Sequence, residues 1–167
     1  MDTDVFYKLI EIHKKWKEKI FGQICQDLLA LSIVEAGCNP TNIEVHNVEG
    51  IDIVIDDNNF GKYAIEVKTT CGETINFSKK DYEGLEKYSQ KNYETILAVL
   101  KIDLFKDWIF TDASKKRQKY SLKVNALYTA DKYKEKLIKE NYKEILEKGE
   151  KYLKEKLKEK KIKYSGE

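Results

Sequence analysis

The sequence predicts an α/β protein: a mixed central β-sheet flanked by helices. Three observations carry this. Apolar residues recur at helical spacing in the first 35 residues and again over the last 35 or so. Between them lies a β-rich stretch whose residues alternate between apolar and polar. A later run, "ETILAVLKI", is apolar throughout, as a strand buried on both faces requires.

Taken in order, residues 4–20 carry Val5, Phe6, Leu9, Ile12 or His13, Trp16 and Ile20 near helical spacing, with Thr3 as N-cap. A second helical run, "FGQICQDLLALSIVEAG", places Ile24, Leu28, Leu31 and Glu35 on one stripe, widened by Cys25, Leu29 and Ser32. Gly37 and "CNP" stop it. One bent rod and two helices broken near Phe21-Gly22 are both compatible with the spacing. "IEVHNVEGIDIVID" is β-rich and interrupted at Glu49-Gly50; "DDNNFGK" is a turn by composition; "KYAIEVKTT" is the next strand. "SKKDYEGLEKYSQKN" reads as a helix with Ser78 as N-cap and Leu85 and Tyr88 inside. After the apolar run come "DWIFTDAS" and the alternating "YSLKVNALY". A long Lys/Glu helix then spans about 131–163, with Ile138, Tyr142, Ile145, Gly149 and Tyr152 on its stripe. That stripe suits docking onto the same domain or a homodimer contact. No repeat is present, and the order α-α-β-β-β-α-β-β-β-α fits a single domain over 1–167, with a core of about 21–128, an N-terminal helix 4–20 and the C-terminal helix.

Composition narrows the class. Hydrophobic residues make up 41% and charged residues 36% of the 167 positions, so the chain is a charged globular protein and not a disordered one. No apolar stretch approaches the roughly 20 residues that span a bilayer. The N-terminus lacks the features of a secretory signal, so a cytoplasmic location is expected. Cys25, Cys38 and Cys71 form no CxxC, and with His13 and His46 as the only histidines a zinc site is not expected. Residues 131–167 hold 13 lysines against 9 acids, and residues 1–130 hold 18 basic against 20 acidic residues. A mildly acidic body with a basic tail is compatible both with phosphate binding and with a solvated helix.

The charges in the β-rich stretch are the chemical signal. In "GIDIVIDDNNFGKYAIEVKTT", Ile51, Ile53 and Ile55 share one face and Asp52 and Val54 the other; Ile65 and Val67 share a face opposite Ala64, Glu66 and Lys68. Pairing the two strands around the 57–61 turn puts Asp52 beside Glu66, with Lys68 one step on. Two adjacent carboxylates repel. A divalent cation removes that cost, and Mg²⁺ is satisfied by one or two carboxylates with water and substrate phosphate completing its shell. A lysine beside it can orient water or stabilise developing negative charge. The set therefore suits metal-assisted phosphodiester hydrolysis, although "IEVK" alone also describes an ordinary half-exposed strand.

In this stretch the sequence resembles the PD-(D/E)xK nuclease superfamily, which includes restriction endonucleases and archaeal Holliday-junction resolvases. Residues 21–101 follow that family's α-β-β-β-α-β core. Asp52 matches the first acid, with Ile51 in place of the proline; Glu66 and Lys68 match the (D/E)xK; thirteen residues separate the two acids. The resemblance implies a restriction-endonuclease-like fold and a DNA endonuclease using Mg²⁺ or Mn²⁺. It implies Asp52, Glu66 and the Val67 backbone carbonyl as ligands, Lys68 beside the attacking water, and products with 5′-phosphates. Relatives often carry a glutamate on the preceding helix where this chain has Gln26, so Gln26 contacts metal-bound water or Asp27 or Glu35 substitutes for it. Glu49 is a further candidate outer ligand. The departure at Gln26 also admits a catalytically inactive nuclease-fold subunit that binds nucleic acid or serves structure. Lys79 and Lys80, at a helix start where the dipole disfavours cations, are candidates for phosphate contact.

Overall fold

The computed structural model describes residues 8, 11, 18–46, 50–101, 108–113, 119–123 and 133–165. The expected N-terminal helix 4–20 therefore lies mostly outside the described residues, as do Glu49 and residues 124–132. Helix α1, Glu18–Glu35, runs unbroken through Phe21-Gly22, which excludes a break there. Its Phe21, Ile24, Cys25, Leu28, Leu29, Leu31, Ile33 and Val34 are all buried. A helix apolar around most of its circumference must be covered on several sides. Gly37 and Cys38 close it by donating their N–H groups to Val34 and Ile33 carbonyls.

The chain next forms β1, Ile43–His46; β2, Ile53–Asp57; and β3, Gly61–Thr70, an antiparallel meander in register Ile43↔Ile55 and Ile53↔Ile65. Helix α2, Lys79–Ser89, crosses over to β5, Glu94–Lys101, which lies parallel to β3 with Glu66 opposite Leu97. Strand β6, Trp108–Asp112, pairs antiparallel with β5. Two short strands were not expected from the sequence. β4, Thr74–Phe77, pairs with β7, Lys119–Lys123, in a separate two-stranded sheet. β8, Lys163–Ser165, pairs in parallel with β1 and completes a six-stranded mixed sheet of order β6-β5-β3-β2-β1-β8.

The expected single C-terminal helix is two. α3, Tyr133–Lys148, ends at Gly149, and α4, Glu150–Lys160, begins after it. Gly149 has φ 91° and ψ 177°, a conformation open only to glycine, so the residue expected on the helical stripe breaks the helix. The stripe itself is turned inward: Ile138, Tyr142, Ile145, Leu146 and Leu153 are buried in the core shared with α1.

The sheet separates two cores. Ile53, Ile55, Ile65, Val67, Ala98 and Leu100 face α1, α3 and α4; Ala64, Leu97 and Val99 face α2 and the small sheet. The alternation predicted for the hairpin holds from Ile53 onward. Ile51, however, joins the α2-side core, not the one that holds Ile53 and Ile55. The chain bends at Gly50 and Asp52, and β2 begins only at Ile53, so strand alternation does not reach back to Ile51. Cys25 and Cys38 are buried thiols. Trp108 is buried between Phe110 and Tyr142. No helix among the described residues is long and apolar enough to cross a membrane.

Candidate active site

Asp52 sits where the chain enters β2, and its backbone is fixed on both edges. Its N–H donates to the Ile65 carbonyl at 3.1 Å, and His46 N–H donates to its carbonyl at 2.8 Å. The β2–β3 ladder stops at Ile53↔Ile65. The Asp52 side chain supplies the next acceptor: Oδ2 takes the Val67 N–H at 2.7 Å. Because N–H and C=O of one strand residue lie on the same edge, the Val67 carbonyl also faces the Asp52 side. Oδ1 of Asp52 accepts from Gln26 Nε2 of α1 at 3.1 Å.

Glu66 and Lys68 lie on the next stretch of β3, past the end of β2 and on the α2-side face. Glu66 is only 4% exposed. Its Oε1 lies 3.3 Å from Lys68 Nζ, whereas its buried Oε2 accepts no hydrogen bond from a donor among the described residues. Lys68 Nζ also lies 2.9 Å from Oδ2 of Asp81. Asp81 is the third residue of α2 and closes its capping box: Oδ2 accepts the Ser78 N–H at 2.9 Å, and Asp81 N–H donates to Ser78 Oγ at 3.3 Å. Helix α2 is held close to this corner by Gly84, where an added Cβ would stand 3.3 Å from the Gly50 backbone. That contact accounts for glycine at this position.

The electrostatics follow from burial. Burial raises the Asp52 carboxyl above the usual range, against the opposing Val67 hydrogen bond and the Lys68 charge. Burial raises Glu66 further, and the charges of Asp52 and Asp81 add to it while Lys68 opposes. Burial would lower the Lys68 ammonium, but Glu66 and Asp81 outweigh it and hold the group cationic. Burial would likewise raise Asp81; the hydrogen bonds from Lys68 and Ser78 outweigh it and keep Asp81 below the ordinary aspartate value. With no cation, burial and mutual repulsion favour a proton on the Asp52–Glu66 pair.

The structure thus brings Asp52, Glu66, Lys68, the Val67 backbone and Gln26 together. It does not bring Asp27 or Glu35. Asp27 turns to the other side of α1, where Oδ1 accepts from Tyr164 Oη at 2.8 Å; burial lifts it to about 6, against that hydrogen bond. Glu35 is exposed and 3.8 Å from Lys160. The His46 ring lies 3.4 Å from Glu44, although its backbone holds Asp52. Lys79 and Lys80 are exposed on the first turn of α2, with Lys79 at 3.6 Å from Glu83. Asp81 was missed as a site residue. Its signal was the serine-to-aspartate capping pattern, which reports a helix start and not the lysine it holds.

Among the described residues, no three His, Cys, Asp or Glu side chains converge to hold an ion on their own. A seat here would consist of two carboxylates and a strand carbonyl, with water or substrate oxygens for the rest. That is the habit of Mg²⁺, and the buried, partnerless Oε2 of Glu66 fits such a cation.

The fold is restriction-endonuclease-like: a mixed sheet between helices, here with an acid–acid–lysine cluster at the end of its central hairpin. Among solved structures, the chain is similar to Hjc of Archaeoglobus fulgidus, a Holliday junction resolvase from an archaeal hyperthermophile, with a TM-score of 0.51 and 17% identity over 62% of this chain and 84% of that one. At this identity the likeness is one of fold. No protein-family model and no curated protein sequence matches the chain.

Proposed function

We propose that the protein is a Mg²⁺- or Mn²⁺-dependent DNA endonuclease that hydrolyses phosphodiester bonds. The observation that carries this reading is Glu66: a buried acid with one partnerless oxygen, beside Asp52 and with Lys68 at 3.3 Å. Asp52, Glu66 and the Val67 carbonyl would hold the cation. When bound, the cation supplies Lewis-acid polarisation of a phosphate oxygen and lowers the pKa of water. Lys68 points its ammonium at the same corner, where it orients water and stabilises negative charge developing on phosphate. The Val67 N–H and the Gln26 amide fix both oxygens of Asp52, so the carboxylate does not rotate as charge develops.

The test is cleavage of linear duplex, four-way junction, flap and single-stranded DNA with Mg²⁺ and with Mn²⁺. Asp52→Ala and Lys68→Ala are each expected to lose about 10²–10³-fold in rate, the usual cost of removing one electrostatic stabiliser. Full metal-dependent cleavage by both variants would overturn the assignment.

One observation favours a second reading, a catalytically inactive nuclease-fold subunit that binds nucleic acid. Both Asp52 oxygens already accept hydrogen bonds, one from the neutral Gln26 amide. Calorimetric titration with Mn²⁺ separates the two: stoichiometric binding abolished by Glu66→Gln supports the enzyme, and DNA binding with no metal uptake supports the subunit.

A further inference from the structure

Lys68 has two carboxylates to choose from, and only one of them belongs to the cation seat. An ammonium fully engaged with Glu66 would neutralise that acid and compete with a divalent cation for it. Its shorter contact is instead to Asp81, 2.9 Å against 3.3 Å to Glu66 Oε1. Asp81 does not swing freely. Its backbone is the third residue of α2, its Oδ2 is anchored by the Ser78 N–H, and its N–H is anchored by Ser78 Oγ. Its side chain is 13% exposed. The lysine is thereby drawn toward the start of α2, and Oε2 of Glu66 is left with no donor among the described residues.

We propose that Asp81 is the positioning residue of Lys68: through the α2 capping box it draws the ammonium off Glu66 and keeps Oε2 open for a divalent cation. This rests on the reading of the site as a metal seat. It accounts for an aspartate at the third helical position, where glutamate or glutamine would serve the cap equally well. It also gives Ser78 a part beyond helix initiation. Asp81 acts on the cation through the lysine.

The experiment is a double-mutant cycle read by Mn²⁺ calorimetry. Asp81→Asn retains an oxygen for the Ser78 N–H and removes only the charge. It is expected to weaken Mn²⁺ binding about tenfold when Lys68 is present, and by less than about twofold in a Lys68→Met background. Equal losses in the two backgrounds would mean that Asp81 acts by its own charge on the cation, and no loss in either would mean that it does nothing at the seat; both overturn the proposal. A metal-free arm distinguishes failure of the metal reading. The Lys68 ammonium, held between two carboxylates, is expected to give a slowly exchanging ¹⁵N signal that Asp81→Asn broadens away. If the wild type takes up no Mn²⁺ but this signal responds, the metal reading falls and the placement of Lys68 stands. If the signal is the same in both proteins, the placement falls.

Discussion

Asp52 lies just before β2 and Asp57 ends it, five residues on, and their carboxyls are shifted in opposite directions. Asp57 accepts four hydrogen bonds: from the N–H groups of Phe60, Asn59 and Asn39 at 2.7, 2.9 and 3.1 Å, and from Asn42 Nδ2 at 3.1 Å. The Phe60 and Asn42 bonds lead in holding it down to about 2. A carboxyl whose folded pKa lies below its unfolded value adds stability that is complete above the unfolded value and is lost as the pH falls through the folded one. Thermal melts should therefore lose stability between about pH 4 and pH 2. Asp57→Ala should flatten that part of the profile and cost about 1–3 kcal/mol at neutral pH, because it strips acceptors from the β2–β3 turn. Asp52 has the reverse balance, burial over hydrogen bonds, and its charge is a burden without a cation. Asp52→Asn should melt a few degrees above the metal-free wild type, with the Gln26 amide flipping to accept from the new Nδ2. The wild type should gain about 2.7 kcal/mol at a cation concentration of 100 Kd, and the variant should lose most of that gain. Equal metal-induced shifts in the two proteins, measured by calorimetric melting, would mean that Asp52 is not a ligand of the cation.

The elements that sequence alone revealed are those whose pattern is written in their own side chains. β2 and β3 alternate; β5 is apolar throughout; α1 carries helical periodicity and a glycine stop. β8 could not be seen this way. Three residues, Lys163–Ser165, are a strand only because β1 offers an edge, with Tyr164 opposite Val45 and its hydroxyl on Asp27. β4, four residues long, owes its state to β7 in the same way. At Gly149 local pattern misled: the surrounding residues continue the helical stripe, and only the backbone shows the break. Gly149→Ala meets no steric obstacle, since nothing stands within 4 Å of the added carbon. It should nonetheless destabilise by about 1–3 kcal/mol, because an L-residue is strained at φ 91°. Urea unfolding of the two proteins measures the difference, and an unchanged midpoint would mean that α3 and α4 join into one helix at no cost. In the site the same division holds. Asp52, Glu66 and Lys68 were legible because alternation fixes faces and a turn fixes neighbours. That Gln26 and not Asp27 reaches Asp52 depends on how α1 is rotated over the sheet, and that Asp81 reaches Lys68 depends on where α2 docks.

Across the whole molecule the charge is nearly balanced, at +2, so the nucleic-acid binding proposed above would rest on local placement and not on net attraction. Lys79 and Lys80 stand exposed within two residues of Asp81 and are the candidate phosphate contacts. Replacing both with alanine should weaken DNA binding uniformly across sequences. It should also reduce the slope of log affinity against log salt by about 1–2, as loss of one or two phosphate contacts does. An unchanged slope in fluorescence-anisotropy titrations would assign phosphate binding to another face. The cluster itself is assembled from both sides of the sheet: Gln26 arrives from the α1 layer, Asp81 from the α2 layer, and Asp52 and Glu66 from the strands between. No layer contains a complete site. Local opening of either layer therefore dismantles the cluster while the other stays folded, and a ligand bridging the acids acts as a rivet through all three. Its signature is amide-exchange protection rising together at Gln26 and at Asp81, on opposite sides of the sheet, as one cooperative unit.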